Sequence, residues 1–146
     1  MSPGGRLRVA RMFPIAAVIA ALAGCHGSGT PCVSGLSADC APLYPPTFDN
    51  VFNRTLAPTC AQPGGVCHAS AGGQGGVLFI SEDSAYSELL GQTDGPALVI
   101  PGNAACSILV ERIESSDPAT GMPPNAPLSE AERCAIRQWI DNGAQR

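Results

Sequence analysis

The chain has 146 residues, enough for one ordinary domain and short appendages. It contains no lysine, only eight arginines against twelve acidic residues, and has a formal charge of −4. So few cations exclude binding along a phosphate backbone, and no nucleic-acid partner is expected.

The first element is an address. Arg6, Arg8 and Arg11 precede a short apolar run from Phe13 to Leu22, too short to cross a bilayer. Small residues follow, which is the pattern of an export signal over residues 1–24. Leu22-Ala23-Gly24-Cys25 resembles the lipobox of bacterial lipoproteins. That resemblance implies cleavage before Cys25, acylation of its thiol, and attachment to membrane lipid without spanning it. The expected location is the bacterial cell envelope, on a membrane surface facing the periplasm or the cell exterior. The competing reading is a plain secretory signal with an incidental cysteine. Past Cys25 there remain five arginines and all twelve acids, a formal charge of −7.

Residues 25–46 read as the lipidated cysteine and a flexible tether, with Gly-Ser-Gly, Tyr44-Pro45-Pro46 and few large apolar side chains. Export makes cysteine pairing the expectation. Lipidation of Cys25 leaves six: Cys32, Cys40, Cys60, Cys67, Cys106 and Cys134. A local Cys32–Cys40 bridge is the default, and pairing of both to the main domain is its rival. Cys106 and Cys134 sit on or beside the apolar faces of two expected helices, so a bridge between them is the simplest reading. Sequence alone does not choose among the connectivities.

The domain proper is expected over residues 47–146, and its elements are helical. Thr47 caps a first helix in which Asp49 favours the positive start. Phe48, Val51, Phe52 and Leu56 share one face, and Pro58 is expected to end it. A glycine cluster over residues 72–76 reads as a turn, because it lacks the ending of a phosphate loop. Val77-Leu78-Phe79-Ile80 is a short buried run. Ser81 caps a second helix whose inward residues are Ala85, Tyr86, Leu89 and Leu90, and Gly91 ends it. Beyond Pro101-Gly102-Asn103, a third helix carries Cys106, Leu109, Val110 and Ile113 on one stripe, with Ser107, Glu111 and Glu114 elsewhere. The fourth begins with a Ser129/Glu132 capping box. It puts Leu128, Ala135, Ile136, Trp139 and Ile140 on one side and Arg133, Arg137 and Asp141 on the other. Four helical patterns and almost no alternating pattern predict a small all-α domain.

Two features carry chemistry. Cys60 is followed after six residues by Cys67-His68. A thiol pair ending in Cys-His is how a c-type haem is fixed, with the histidine held against the iron. The usual spacing has two intervening residues. Here the extra length must bulge outward, and Pro63-Gly64-Gly65 gives the backbone room for that. The second feature is Met122, the sole methionine past Cys25, in Thr120-Gly121-Met122-Pro123-Pro124. Flanking prolines stiffen such a loop, and a thioether ligand needs a segment that does not drift. An ordinary proline turn is the plainer reading of Met122, as a core position is for Trp139. Zinc is a weaker alternative for Cys60, Cys67 and His68, because no fourth ligand is evident.

The order of motifs carries a family resemblance. A first helix is followed by Cys…Cys-His, a Gly-rich stretch, Ala-Tyr-x-x-Leu-Leu-Gly and Val-Ile-Pro-Gly-Asn with Cys-Ser-Ile-Leu-Val. Then come Gly-Met-Pro-Pro, Leu-Ser-x-x-Glu and Ile-Arg-Gln-Trp-Ile-Asp-Asn-Gly-Ala. Over residues 48–144 this resembles the cytochrome-c-like domain of exported proteins and lipoproteins of planctomycetes and myxobacteria. The resemblance implies haem c on Cys60 and Cys67, with His68 as proximal and Met122 as distal iron ligand. It implies electron transfer with a redox protein partner. Two strong axial ligands leave no open site, so no enzymatic activity is expected. The alternative is a haem-less cytochrome-like domain, stapled by disulfides that include Cys60–Cys67, serving as a binding or structural lipoprotein.

Overall fold

The computed structural model describes Met1 and residues 32–62, 67–69, 73–93 and 96–146. The expected export signal beyond Met1, Cys25 and residues 26–31 lie outside the described residues, as does the bulge at Pro63-Gly64-Gly65. Among the described residues there are helices and no strand, as the sequence pattern predicts. Among the described residues, no helix is long and apolar enough to cross a membrane.

Helix α1 (Phe48–Val51) starts at Thr47, whose side chain accepts from the Asn50 N–H. The chain then runs on as a π-helical stretch, Phe52–Cys60, straight through Pro58. The expectation that Pro58 ends the helix is therefore corrected. A proline ring collides with the carbonyl four residues back in an α-turn. The wider π-turn relieves that crowding and takes partners one residue earlier, as in Ala61 N–H donating to Leu56 O at 2.9 Å. The consequence is that Cys60 stands at the end of a continuous helical segment.

Helix α2 (Glu82–Leu89) opens on a capping box between Ser81 and Ser84. Ala85 and Leu89 are fully buried, while Tyr86 and Leu90 are half-buried against them. Gly91 follows at φ +64°, where a Cβ would lie 2.7 Å from the Ala97 nitrogen; only glycine suits both constraints. Helix α3 (Ile108–Glu114) buries Val110 and Ile113. Ser107, expected on a polar face, is buried instead: its hydroxyl donates to Asn103 O and accepts from the Ile100 N–H. In the run 77–80 only Phe79 is buried; Ile80 is exposed.

Helix α4 (Glu130–Asp141) begins at the Ser129/Glu132 capping box and is the centre of the fold. Both α1 and α3 pack on it. The rings of Phe48 and Trp139 lie 5.2 Å apart, and Tyr86 meets Phe48 edge-on at 5.0 Å. Trp139 is thus a core residue, and its indole N–H donates to Gln145 O at 2.8 Å. Arg137, expected on the outer side, is only 4% exposed, because two carboxylates draw it inward.

The segment from Cys32 to Pro46 is not free chain. Val33 N–H donates to Ala105 O at 2.8 Å and Leu43 N–H to Ala131 O at 2.9 Å. Tyr44 is buried, with its hydroxyl 2.5 Å from that of Thr55. Two disulfides fasten this strap: Cys32–Cys106 and Cys40–Cys134. The default pairings Cys32–Cys40 and Cys106–Cys134 are both corrected, and the rival, pairing of the strap to the domain, is what the structure has. The strap runs from the 3-10 turn Ala104–Cys106, which precedes α3, to α4, and this brings Cys32 beside Cys106 and Cys40 beside Cys134.

Candidate haem-attachment site

Cys60 and Cys67 are unbridged, whereas the other four described cysteines are all paired. The two ends of the long loop are nevertheless drawn together: His68 N–H donates to Cys60 O at 3.2 Å. Despite the longer spacing, the backbones of Cys60 and His68 are therefore in direct contact.

Cys60 is set by the end of the π-stretch, and its thiol is half-buried. Burial, reinforced by the neighbouring Cys67 and by Glu132, pushes that thiol up to about 11. It is held as a neutral S–H and not as a thiolate.

His68 is fixed on both faces of its peptide. Beyond the bond to Cys60, its carbonyl accepts from Phe79 N–H at 2.8 Å. The imidazole lies against the Phe79 ring, with centroids 5.3 Å apart. Its Nδ1 is 3.0 Å from Val77 O. A carbonyl only accepts, so Nδ1 carries a proton, and in the neutral imidazole the lone pair is then on Nε2. Metal-binding histidines are oriented this way, one nitrogen tied to a carbonyl and the other presented.

Glycine makes that geometry available. The turn Gln74–Gly76 returns the chain toward His68, and Gln74 N–H donates to Cys67 O at 2.8 Å. A Cβ at Gly73 would stand 2.7 Å from Val77 O and 3.0 Å from Cys67 O. A larger residue there pushes away the carbonyl that orients His68.

Met122 belongs to a second, separately built region. Its N–H donates to Arg112 O at 2.9 Å, which pins it to α3. Just before it, Gly121 passes so close to Ser115 that a Cβ would lie 2.7 Å from the carbonyl oxygen. Asp117 O accepts from both Thr120 N–H and Gly121 N–H. A cavity of about 330 Å³ opens beside Met122, lined among others by Ile113, Asp117, Asn125 and Arg133. Among the described residues, His68 does not line this cavity.

An ionic cluster that the sequence did not reveal stands behind this loop. Glu114 is gripped by Arg137 and lies 3.1 Å from Arg133 Nε. Arg133 Nη1 also donates to Leu128 O at 2.9 Å. Glu130 pairs with both arginines, and those hydrogen bonds, Arg137's first, hold its carboxyl below the usual range. The intervals of Glu130, Arg133 and Arg137 along one helix were a readable signal. The partner on α3 was not, because contact between α3 and α4 is a tertiary fact.

The donor types are those that would hold a covalent haem: two unbridged thiols, an imidazole with one nitrogen tied back and, on a separately built loop, a thioether. No curated protein and no solved structure matches the chain. Residues 66–126, under half of the chain, match the family model described as Planctomycete cytochrome C. The match takes in Cys67, His68 and Met122 and leaves out Cys60 and α4. Over residues 66–126 the chain therefore matches a cytochrome-c-like domain of the planctomycete type.

Proposed function

We propose that this is a lipid-anchored c-type cytochrome of the bacterial envelope, which passes electrons to a redox protein and catalyses no reaction of its own. Cys60 and Cys67 would hold the haem, His68 Nε2 and the Met122 sulfur would bind its iron, and Cys25 would carry the lipid. When bound, the haem supplies reversible one-electron chemistry. The chain's own residues do the rest. Val77 O keeps the proton on His68 Nδ1, which leaves Nε2 as the ligand nitrogen. The Met122 loop offers a thioether, a ligand that favours the reduced iron.

The single observation that carries this reading is the His68–Val77 hydrogen bond beside two unbridged thiols. The disulfide-stapled, haem-less alternative draws support from the two bridges that hold the strap, but its third bridge, Cys60–Cys67, is not formed. Potentiometry on the exported protein tests the axial set. Met122→Ala is expected to lower the reduction potential while covalent haem stays in place. An unchanged potential would remove Met122 from the iron.

A further inference from the structure

Met122 lies between Ser115 and Leu128, in a segment with few large side chains buried in the core; Leu128 is the main one. Something else must fix where its sulfur stands. Four side chains converge on the two ends of this segment. At the start, Glu114 closes α3 and is only 13% exposed. Arg137, itself almost fully buried, binds one of its oxygens, and Arg133 approaches the other. At the far end, Arg133 Nη1 donates to Leu128 O. One guanidinium therefore touches both the residue that begins the loop and the residue that ends it. Glu130 accepts from Nη2 of each arginine. The Met122 amide is bonded to Arg112, two residues before Glu114, so a shift of the α3 terminus is transmitted to the methionine directly.

We propose that Glu114, Arg133 and Arg137 are positioning residues that lock the loop over residues 115–128 and thereby set the place of the Met122 sulfur. Resting on the haem reading above, the lock explains how an exposed proline loop presents a ligand without drifting. The buried Nε of Arg137 has no partner of its own, so this guanidinium is held for its grip on Glu114 and Glu130 and not for full satisfaction. An arginine suits this place because its planar fork binds two carboxylates at once, which a lysine ammonium does not.

The test is residue-resolved hydrogen exchange on the exported full chain, with Glu114→Gln as the mild variant. Glu114→Leu/Arg137→Met is the second variant, and it removes the pair without leaving one charge buried alone. The lock predicts that Met122 N–H exchanges about tenfold faster or more in both variants, while Ala85 and Leu89 in α2 keep their rates. In the haem-loaded protein the sulfur-to-iron charge-transfer band should weaken while the Soret band and covalent haem remain. Unchanged exchange at Met122 overturns the proposal. So does equal acceleration in α2 and the loop, which would make the cluster a general stabiliser. A wild-type protein without haem sinks the functional reading but leaves exchange to decide the lock.

Discussion

At Cys60 and His68, the chemistry is decided by which atoms are already engaged. The Cys60 thiol is a poor nucleophile at neutral pH, since only the thiolate attacks. In protein that has not acquired haem, alkylation of Cys60, followed by peptide mapping, should be slow at neutral pH and speed up as pH rises toward about 11. Rapid neutral alkylation would contradict this. The sign for stability follows. Below the ordinary value of 9.0 both folded and unfolded chains hold the proton, and the stabilisation is fully present. As pH climbs toward about 11 only the folded chain retains it, so stability is lost. The Cys-His ending and Met122 were legible in the sequence because they are local. The orienting carbonyl of Val77 was not, because it depends on how the Gly73 turn folds back.

Among the elements, α4 carries most of the organisation. Its capping box and apolar face were readable from spacing, since both obey the helical period. The inward pull on Arg137 was not readable, because it needs Glu114 from another helix. The π-stretch was also hidden: Pro58 argues for a stop, and only packing of Phe52, Thr55 and Leu56 carries the helix onward to Cys60. Glu130 gives the element a pH signature. Its depressed carboxyl contributes stability that is present above the ordinary 4.5 and is lost as pH falls through the lower folded value. Acid titration of thermal stability should show Glu130→Gln weaker than wild type near neutrality, with the difference closing at low pH. A constant difference across that range would remove the ion pairs as its cause.

For the whole molecule, the strap changes how stability is distributed. The two disulfides span 74 and 94 residues of sequence. Each would contribute about 4–5 kcal/mol in the chain-entropy model, and less in combination because the loops overlap. Replacing all four cysteines by serine should lower unfolding stability by more than the about 2–5 kcal/mol typical of losing one native bridge, or abolish folding. Urea denaturation measures this, and non-reducing peptide mapping should find Cys32 with Cys106 and Cys40 with Cys134. Local pairing of Cys32 with Cys40 would contradict the fold described. The all-helical class was legible because each α-helix shows its own apolar period and α1, α2 and α4 their own caps. The wrap of residues 32–46 was not, because connectivity among six cysteines is a global property.

The most direct measurement is the mass of the proteolytic fragment spanning Cys60 to His68, taken from the exported protein without reduction. A fragment carrying haem on both sulfurs is the predicted result. A fragment whose two sulfurs are joined to each other, from a colourless protein, would contradict the account.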